Sequence, residues 1–537
     1  MAAAPKKRVE ATSRARVVRW PALLLLTAAI AVMVTVSGDE PVTGESTIDA
    51  RPLVPSAGAA ESLSSTWYCA AGTIIDDGPA DHQLVIANPS STEAKVELTV
   101  YPVLAPQPIE IDVEATADVA DQLDLAPPEA VSLGAVPVDL VVEPRSVLRT
   151  RLGDLDGVEG EHAAALVESN VGDMIVEHIV SGPSGAGVAP CASASADSFH
   201  FAAGTTRKGA RQTLSIFNPF PGDAVVDITF ATDVGPRAPQ IYDGLVVPSG
   251  SVLPVDVTDV VTLFDTVSAN LDVRTGRVVA DRLLDVDGSQ GPGGLSVAVG
   301  SPEPAEVSVF PSSAPNGAVD VIVVHNPSLD DEAEVDVEIH LDVPEFNGTV
   351  EPVRIKIRPG RTETLVLSPG AELVSAGRVN DVSGRIVDDV GYWAAVRSLN
   401  GVPVVADHVT VDEAPSPVAF SASPGVTVSA TSHMFTTLDG VGEVVVVNPA
   451  EDEIAALELR LYADGQEFSL APVEVPRNSR LVLDLEALGV PPDGVFLLDA
   501  SAPVLAERRV SVAGQGSVTT NTLPVAGTTS TPDLPLL

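Results

Sequence analysis

The sequence predicts an all-β protein with tandem immunoglobulin-like β-sandwich domains after an N-terminal transmembrane or signal helix. Two observations predict the domains: a segment that ends in Asn-Pro occurs four times, and strict alternation of apolar and polar residues follows each copy. A third observation predicts the helix, because the N-terminus carries a basic stretch followed by an uncharged apolar run.

Composition bounds the class of protein before any motif is considered. The chain has 537 residues, an apolar fraction of 45% and a formal net charge of −44. At about 100–200 residues per domain, this length allows several packed domains. So acidic a chain would repel phosphate groups, which excludes nucleic acid as a partner. Two cysteines exclude a disulfide-dense scaffold and a cysteine-built metal centre.

The N-terminus indicates the compartment. We assign residues 1–20 to a basic cytoplasmic segment, 21–37 to the transmembrane or signal helix, and 38–63 to a flexible linker. The basic flank predicts that everything after the helix lies outside the cytoplasm. The apolar run is short for a membrane span and long for a signal peptide. We therefore expect a single-pass cell-membrane protein, or a secreted one if the segment is cleaved.

The internal repeat justifies the domains in order. The Asn-Pro motif begins at four positions: Asn88, Asn218, Asn326 and Asn448. Proline cannot donate the next ladder hydrogen bond, and asparagine favours a turn, so each motif predicts the end of a strand. The alternation after it, as in Val96, Leu98 and Val100, predicts a half-buried strand.

Two further markers recur in the same order. The first is a proline that opens a turn into another strand, at Pro144, Pro248, Pro359 and Pro476. The second is an acid–base pair at the end of a strand: Glu177-His178, Asp281-Arg282, Asp407-His408 and Glu507-Arg508. Glycines at 172, 276 and 401 predict hairpin turns before these strands.

These markers define the domain boundaries. The predicted sandwiches cover residues 64–191, 196–302, 304–414 and 417–523, followed by a tail at 524–537. The first contains about 25 extra residues before Pro144, which we interpret as an inserted loop or hairpin. Short helices are expected over 256–264 and 485–489.

No residue pattern predicts a catalytic, cofactor-binding or metal-binding site. Neighbours on a strand point to opposite faces, so the acid–base pairs favour a structural role over catalysis. The eight histidines form no metal motif, and the turns at 154–157 and 285–288 lack the spacing of a calcium loop. Trp67 and Trp393 occupy strand positions typical of a core, which disfavours an aromatic sugar platform.

Cys69 and Cys191 flank the first predicted domain. Outside the cytoplasm, a lone pair of cysteines favours a disulfide, the alternative being two free buried thiols.

The Ala-Ala-Gly-Thr segments at 70–73 and 202–205, the Asn-Pro motifs and the acid–base pairs together resemble a repeat of secreted bacterial surface proteins. Together with the basic-flanked span, Trp67-Tyr68-Cys69 and Cys191, they resemble an uncharacterised actinobacterial family of exported, membrane-anchored proteins with a domain of unknown function. The resemblance covers most of residues 60–523. It implies repeated β-sandwich units and transfers no catalytic residue.

The expected function is that of a non-enzymatic, envelope-associated extracytoplasmic scaffold or partner-binding protein. It would contact the membrane through its N-terminal helix and an envelope protein or glycan through its domains. The alternatives are a cell-wall or surface glycan-binding or glycan-assembly accessory protein and, third, an enzyme whose site is split between domains. A pocket lined by histidine and carboxylates from two domains would favour the third.

Overall fold

The computed structural model of the chain describes residues 53–59, 61–108, 126–290, 293–313, 319–342, 350–368, 379–387, 390–412, 419–440, 442–512 and 516–534. These residues form β-strands with a few short 3₁₀ helices, so the predicted all-β class is confirmed. Within these ranges no helix is long and apolar enough to span a membrane. The predicted segments 1–20 and 21–37 lie outside the described residues.

The strands fall into four sets, which we call repeats 1 to 4. Repeat 1 contains β1 (Ser65–Cys69), β2 (Asp81–Asn88), β3 (Ala94–Leu104), β4 (Val131–Ser132), β5 (Val136–Val142), β6 (Ser146–Arg151), β7 (His162–Ser169), β8 (Ile175–Gly182) and β9 (Gly185–Pro190). Repeat 2 contains β10 (Ser198–Phe201), β11 (Ala210–Asn218), β12 (Ala224–Thr232), β13 (Pro236–Arg237), β14 (Leu245–Val247), β15 (Ser251–Asp256), β16 (Val267–Thr275), β17 (Val279–Val286) and β18 (Gly294–Val299). Repeat 3 contains β19 (Val307–Phe310), β20 (Val319–Asn326), β21 (Ala333–Leu341), β22 (Val353–Ile357), β23 (Arg361–Val366), β24 (Val379–Asp381), β25 (Tyr392–Ser398), β26 (Val405–Asp412) and β27 (Ala419–Pro424). Repeat 4 contains β28 (Ser429–Thr436), β29 (Gly442–Asn448), β30 (Ala455–Ala463), β31 (Gln466–Ser469), β32 (Val473–Val475), β33 (Ser479–Asp484), β34 (Val495–Val512), β35 (Gly516–Asn521), β36 (Leu523–Pro524) and β37 (Thr529–Ser530).

The same strand order recurs in each repeat. In repeat 1, one sheet has the order β1-β7-β3, with β4 and β5 on β3, and the other has β6-β2-β8-β9. Repeat 2 forms β10-β16-β12 and β15-β11-β17-β18, and repeat 3 forms β19-β25-β21-β22 and β24-β23-β20-β26-β27. In repeat 4 the 18-residue β34 serves both sheets, since it pairs β28 and β30 and then β29 and β35. In each repeat the inward apolar residues of both sheets form a buried core.

The asparagine of each Asn-Pro motif ends a strand, as predicted, and also holds the repeat together. The Nδ2 atom of buried Asn218 donates to the carbonyls of Gly222 (2.9 Å) and Val247 (3.0 Å). Its Oδ1 accepts from the amide of Phe220 (3.1 Å). Asn88, Asn326 and Asn448 make the equivalent bonds. One side chain therefore closes the turn and ties it to the strand that follows.

Two local predictions were wrong. The glycine turns at 172, 276 and 401 do not close hairpins, because the strands on either side lie in different sheets of their repeat. The acid–base pairs do not end strands either: the acid is the third residue of β8, β17 and β26. The first error comes from assuming that consecutive strands pair with each other, and the second from ending each strand at its charged residues although the strand continues past them.

The predicted short helices are also largely absent. Within residues 256–264, helix is confined to the three 3₁₀ residues Val257–Asp259, where the Asp256 side chain accepts from the Thr258 amide. Residues 485–489 form hydrogen-bonded turns instead.

The four repeats contact one another in a closed ring. Buried apolar clusters join repeat 1 to 2, 2 to 3 and 3 to 4, and another joins repeat 4 back to repeat 1. In that last cluster Val85 and Val188 pack with Leu438 and Val510. The strands that follow the acid–base strand in each repeat, β9, β18, β27 and β35, contact one another in the same cyclic order. Accordingly, the described residues between 53 and 534 belong to one compact unit.

Parts of the predicted linker and tail belong to this ring. Ala57, which we placed in the flexible linker 38–63, is fully buried and donates to the Pro524 carbonyl (2.9 Å). The Ala526 amide donates back to Ala57 (2.8 Å), and Leu534 of the tail is buried. The chain's first and last described segments therefore meet at the junction of repeats 4 and 1.

We expect Asn218→Ala to destabilise the protein by about 2–4 kcal/mol, because it leaves two carbonyls and one amide without their partner. Asn400→Ala is the matched control. Asn400 also bonds turn backbone, but it is exposed, so water replaces its bonds and the loss should stay below about 1 kcal/mol. Urea unfolding followed by circular dichroism measures both, and equal losses would contradict the role of the buried asparagine.

Candidate functional site

The acid–base pairs are the contacts between repeats. Each pair lies on a strand of the sheet nearest the centre of the ring, and its two side chains reach in opposite directions. Asp281 accepts from the amides of Ala70 (2.7 Å) and Ala71 (3.0 Å) in repeat 1, whereas Arg282 reaches repeat 3. Each repeat therefore presents its acid to the preceding repeat and its base to the following one.

Two junctions contain a fully buried arginine. Arg282 pairs with Asp407 (Nη1 to Oδ2, 3.0 Å) and donates through Nη2 to the Ala422 carbonyl (2.8 Å). Arg508 pairs with Glu177 (Nη2 to Oε1, 2.6 Å) in the same manner, although 331 residues separate the two in the sequence. Each guanidinium also lies over a phenylalanine ring, Phe201 or Phe435 respectively.

The acids rest on the segment that opens the preceding repeat. The Ala-Ala-Gly-Thr segments supply main-chain amides: those of Ala70 and Ala71 to Asp281, and that of Ala203 to Asp407 (2.9 Å). Ser312 holds the equivalent place in repeat 3 and donates its amide to Glu507 (3.0 Å). The motif we noted only as a marker therefore provides the hydrogen bonds that stabilise a buried carboxylate.

The other two junctions contain histidine, and a polar neighbour accompanies each ring. His178 lies 4.0 Å from Asp281 and 3.3 Å from Nε2 of His82. His408 binds Asp320 of its own repeat (2.7 Å) and lies near Glu507. His82 and Asp320 occupy one equivalent position, six residues before the Asn-Pro asparagine; Gln212 and Gly442 stand there in the repeats with arginine.

Burial shifts the pKa values of ionisable side chains at the two junctions that contain histidine. Burial raises the pKa of Asp281 to about 7, although the Ala70 and Ala71 amides favour its charged form. Burial and the neighbouring His82 ring lower the pKa of His178 well below its ordinary value. Burial alone would lower the pKa of His408, but the Asp320 carboxylate raises it above the ordinary value. The junction of repeats 1 and 2 is therefore held by neutral groups at mildly acidic pH.

A cavity lies at the centre of the ring, and all four repeats line it. Its walls come from residues 188–190, 297–303, 423–428 and 520–522, with Val54, Pro55 and Pro524. Valine, alanine, proline and glycine predominate, and no lysine or arginine is among the lining residues. Ser423 and Asn521 contribute buried oxygen atoms, Oγ and Oδ1, that have no hydrogen-bond partner among the described residues.

A second pocket lies between repeats 1 and 2. Its lining includes His162, Arg211, Tyr242, Asp256 and Asp285, together with several prolines. Arg211 pairs with Asp256 (2.8 Å), and burial lowers the pKa of His162 to about 4, so this ring is neutral at pH 7. No described carboxylate is hydrogen-bonded to His162. The pocket has the composition that we named as favouring a split-site enzyme, but it lacks a histidine–carboxylate pair.

The predicted disulfide is present. Cys69 and Cys191 are bonded, with an S–S distance of 2.04 Å, and both are fully buried in repeat 1. Trp67 is buried in the core of repeat 1, as expected, whereas Trp393 is buried in the apolar cluster that joins repeats 3 and 4.

Two other sequence expectations concern metal ligands and the insertion in repeat 1. Among the described residues no group of three or more histidine, cysteine or acidic side chains is arranged to hold a metal ion. The acids at 110, 112 and 114 of the insertion lie outside the described residues.

The inter-repeat pairing itself was missed by sequence reasoning. The two side chains of each pair do point to opposite faces of their sheet. If only one face of that sheet were buried, one side chain of each pair would be exposed to solvent. Here all eight side chains are buried. An acid–base pair at the same place in every repeat was the sequence signal that the second face of this sheet is also packed.

We expect opposite effects from two equivalent Asp→Asn changes. The carboxyl of Asp281 binds its proton more tightly in the folded state, so the wild type loses stability as pH rises from about 4 to about 7. Asp281→Asn removes this loss. Its free energy of unfolding, relative to that of the wild type, should therefore rise by up to about 1.4 kcal/mol per pH unit in that window. Asp407→Asn leaves Arg282 buried without a counter-charge and should cost about 3–5 kcal/mol at pH 7. Urea unfolding between pH 4 and 8.5 measures both. An Asp281→Asn penalty as large as that of Asp407→Asn at pH 8 would mean that Asp281 forms a stabilising ion pair.

Comparison with known proteins places the chain in a family. No curated protein shows significant sequence similarity to it. A solved structure of a mutant Salmonella alpha-2-macroglobulin aligns with 10% identity and a TM-score of 0.13, over 86% of this chain and 40% of that one. The chain thus spans less than half the length of that protein. The profile of a family of unknown function (DUF5719) matches residues 158–486, which is more than half of the chain. The chain therefore belongs to this family of unknown function, DUF5719.

Proposed function

We propose that the protein is a non-enzymatic, envelope-associated extracytoplasmic scaffold that binds a partner through its ring. The observation that carries this proposal is the use of the acid–base pairs. The most prominent recurring ionisable groups of the chain are buried between repeats, where they hold the ring and are not available to a substrate. A rigid closed ring is suited to presenting surfaces at fixed positions.

The repeats are best regarded as tandem immunoglobulin-like β-sandwiches. Two boundaries differ from the predicted ones, since β27 (Ala419–Pro424) belongs to repeat 3 and the pairing of β36 and β37 with β28 extends repeat 4 past residue 523. In an immunoglobulin sandwich, the second strand pairs with the fifth and the third with the sixth. Setting aside the short insert β4, β2 pairs with β6 and β3 with β7 in repeat 1, which is the same pattern. Two other strands differ, since β1 joins the sheet of β3 rather than that of β2, and β8, the seventh strand, pairs with β2 rather than with β7. This pairing supports the finer classification.

An extracytoplasmic, membrane-anchored location is consistent with two features. The basic segment and apolar run at 1–37 favour export with residues 38–537 outside. A buried disulfide is typical of oxidising compartments. We also propose, from the sequence resemblance, that the protein is of actinobacterial origin.

Charge indicates the chemistry of the partner. Of the 30 basic and 74 acidic residues, six and one respectively lie in residues 1–37, so the remainder has a net charge of −49. A surface of one sign attracts the opposite sign and repels its own. We therefore propose a partner with a basic surface and again exclude nucleic acid.

A glycan-binding or glycan-assembly accessory role is the alternative. The pocket between repeats 1 and 2 favours it, because Arg211, Asp256 and Asp285 offer hydrogen-bonding groups beside proline walls. The burial of Trp67 and Trp393 removes the aromatic platform that sugar sites usually offer.

Binding to separated fractions of the native envelope tests the proposal. We expect the purified chain to bind envelope proteins, with affinity falling at least tenfold between about 0.05 and 0.5 M salt, because exposed charges are screened. Deproteinised wall glycan should not retain it.

Salt-independent retention by the glycan fraction, reduced by Asp285→Asn, would support the alternative instead. Turnover of wall glycan or peptide that is lost in His162→Ala would contradict the non-enzymatic role. Asp139→Asn, an exposed acid outside the pocket, is the matched control.

A further inference from the structure

We infer that the central cavity of the ring binds a neutral, linear aliphatic molecule that ends in a hydroxyl or amide group. This inference is independent of the partner-binding role, because it concerns the interior of the ring rather than its outer surface. The lining residues determine which polarity a ligand needs. The walls are built chiefly from valine, alanine, proline and glycine of all four repeats, so they favour an apolar ligand.

Two unpaired polar atoms set a further requirement. Ser423 is 5% exposed, and its Oγ has no hydrogen-bond partner among the described residues. The Asn521 Nδ2 donates to the Pro424 carbonyl (2.9 Å), which fixes the amide and leaves Oδ1 as an unused acceptor among the lining residues. Leaving such a group buried and unpaired is unfavourable, so a ligand that supplies the partner is stabilised. A hydroxyl or amide at the end of the ligand can donate to Oδ1 or accept from the Ser423 hydroxyl, so it would supply a missing hydrogen-bond partner.

Charge and shape narrow the class further. The lining has no cationic side chain, and its one carboxylate, Glu303, is exposed, so the cavity offers nothing to stabilise an anion. The four strands around it contact their neighbours, and β9 also contacts β27 across the ring. The space between them is therefore narrow, which favours a single unbranched chain over a ring system.

Photolabelling of the full chain in lipid nanodiscs tests the inference. The probe is 1-octanol carrying a diazirine on its chain, and mass spectrometry locates the labelled residues. We expect labels on residues 188–190, 297–303 and 423–428, competed by 1-octanol and at least tenfold less well by octane. Ser423→Ala should weaken competition by 1-octanol roughly three- to tenfold, the value of one lost hydrogen bond.

Ser251→Ala is the matched control, since the Ser251 hydroxyl is likewise buried and unpaired but lies outside the cavity. It should leave labelling unchanged, and Val299→Trp, which fills the cavity, should abolish it. Labels spread over the outer surface, equal competition by octane, or equal effects of the two serine variants would overturn the inference.

Solvent extraction of the wild-type chain and of the Ser423→Ala variant, each purified from the native cells, identifies where the ligand comes from. A lipid enriched in the wild type indicates the membrane, and a water-soluble alcohol or amide indicates a diffusible ligand. Cavity waters alone, with no enriched molecule, would count against the inference.

Discussion

The buried contact between the acid of one repeat and the base or main-chain amides of its neighbour is the constraint on which the whole arrangement depends. A buried charge without a partner is costly, so repeats 2 and 3 can bury Arg282 at their junction only because Asp407 lies opposite it. Each junction supplies a counter-charge or hydrogen bonds from the next polypeptide segment. Because acid and base of one pair reach opposite neighbours, this requirement passes from repeat to repeat and is met everywhere only when the ring closes.

The junction of repeats 4 and 1, which closes the ring, differs from the other three. Repeats 1 to 4 follow one another along the chain, but repeats 4 and 1 are not consecutive in the sequence. Their contact combines the Arg508–Glu177 pair, the exchange of main-chain bonds around Ala57, and ion pairs from Arg149 to Asp439 and Asp493. The exposed ion pairs contribute little individually, so the buried pair and the apolar cluster hold the junction. At the histidine junction of repeats 1 and 2, burial raises the pKa of Asp281, so we expect the stability of this junction to vary with pH.

Sequence reasoning predicted the features that local chemistry determines. The Asn-Pro motifs mark strand ends because proline lacks an amide hydrogen, and a lone cysteine pair favours a disulfide over two free thiols in an oxidising compartment. The ring could not be predicted in this way, because the partners of each acid–base pair lie in other repeats, up to 331 residues away. The hairpin error at residues 172, 276 and 401 has the same origin: a glycine turn looks alike whether the next strand pairs with the last or crosses to the opposite sheet. The candidate cavity was equally out of reach, since four distant segments build it.

The central claim is that repeat 4 returns to repeat 1. Arg145 and Glu467, on the outer part of that junction, form an ion pair of 2.8 Å across 322 residues of sequence, and both side chains are partly exposed. Their double replacement, Arg145→Cys with Glu467→Cys, followed by a short bismaleimide and mass spectrometry of the digested monomer, measures the contact directly. A closed ring gives one intramolecular cross-link between the two sites, and Arg145→Cys with Lys356→Cys, whose second site lies in repeat 3, gives none. Absence of the first cross-link, or its appearance only between separate chains, would contradict the ring.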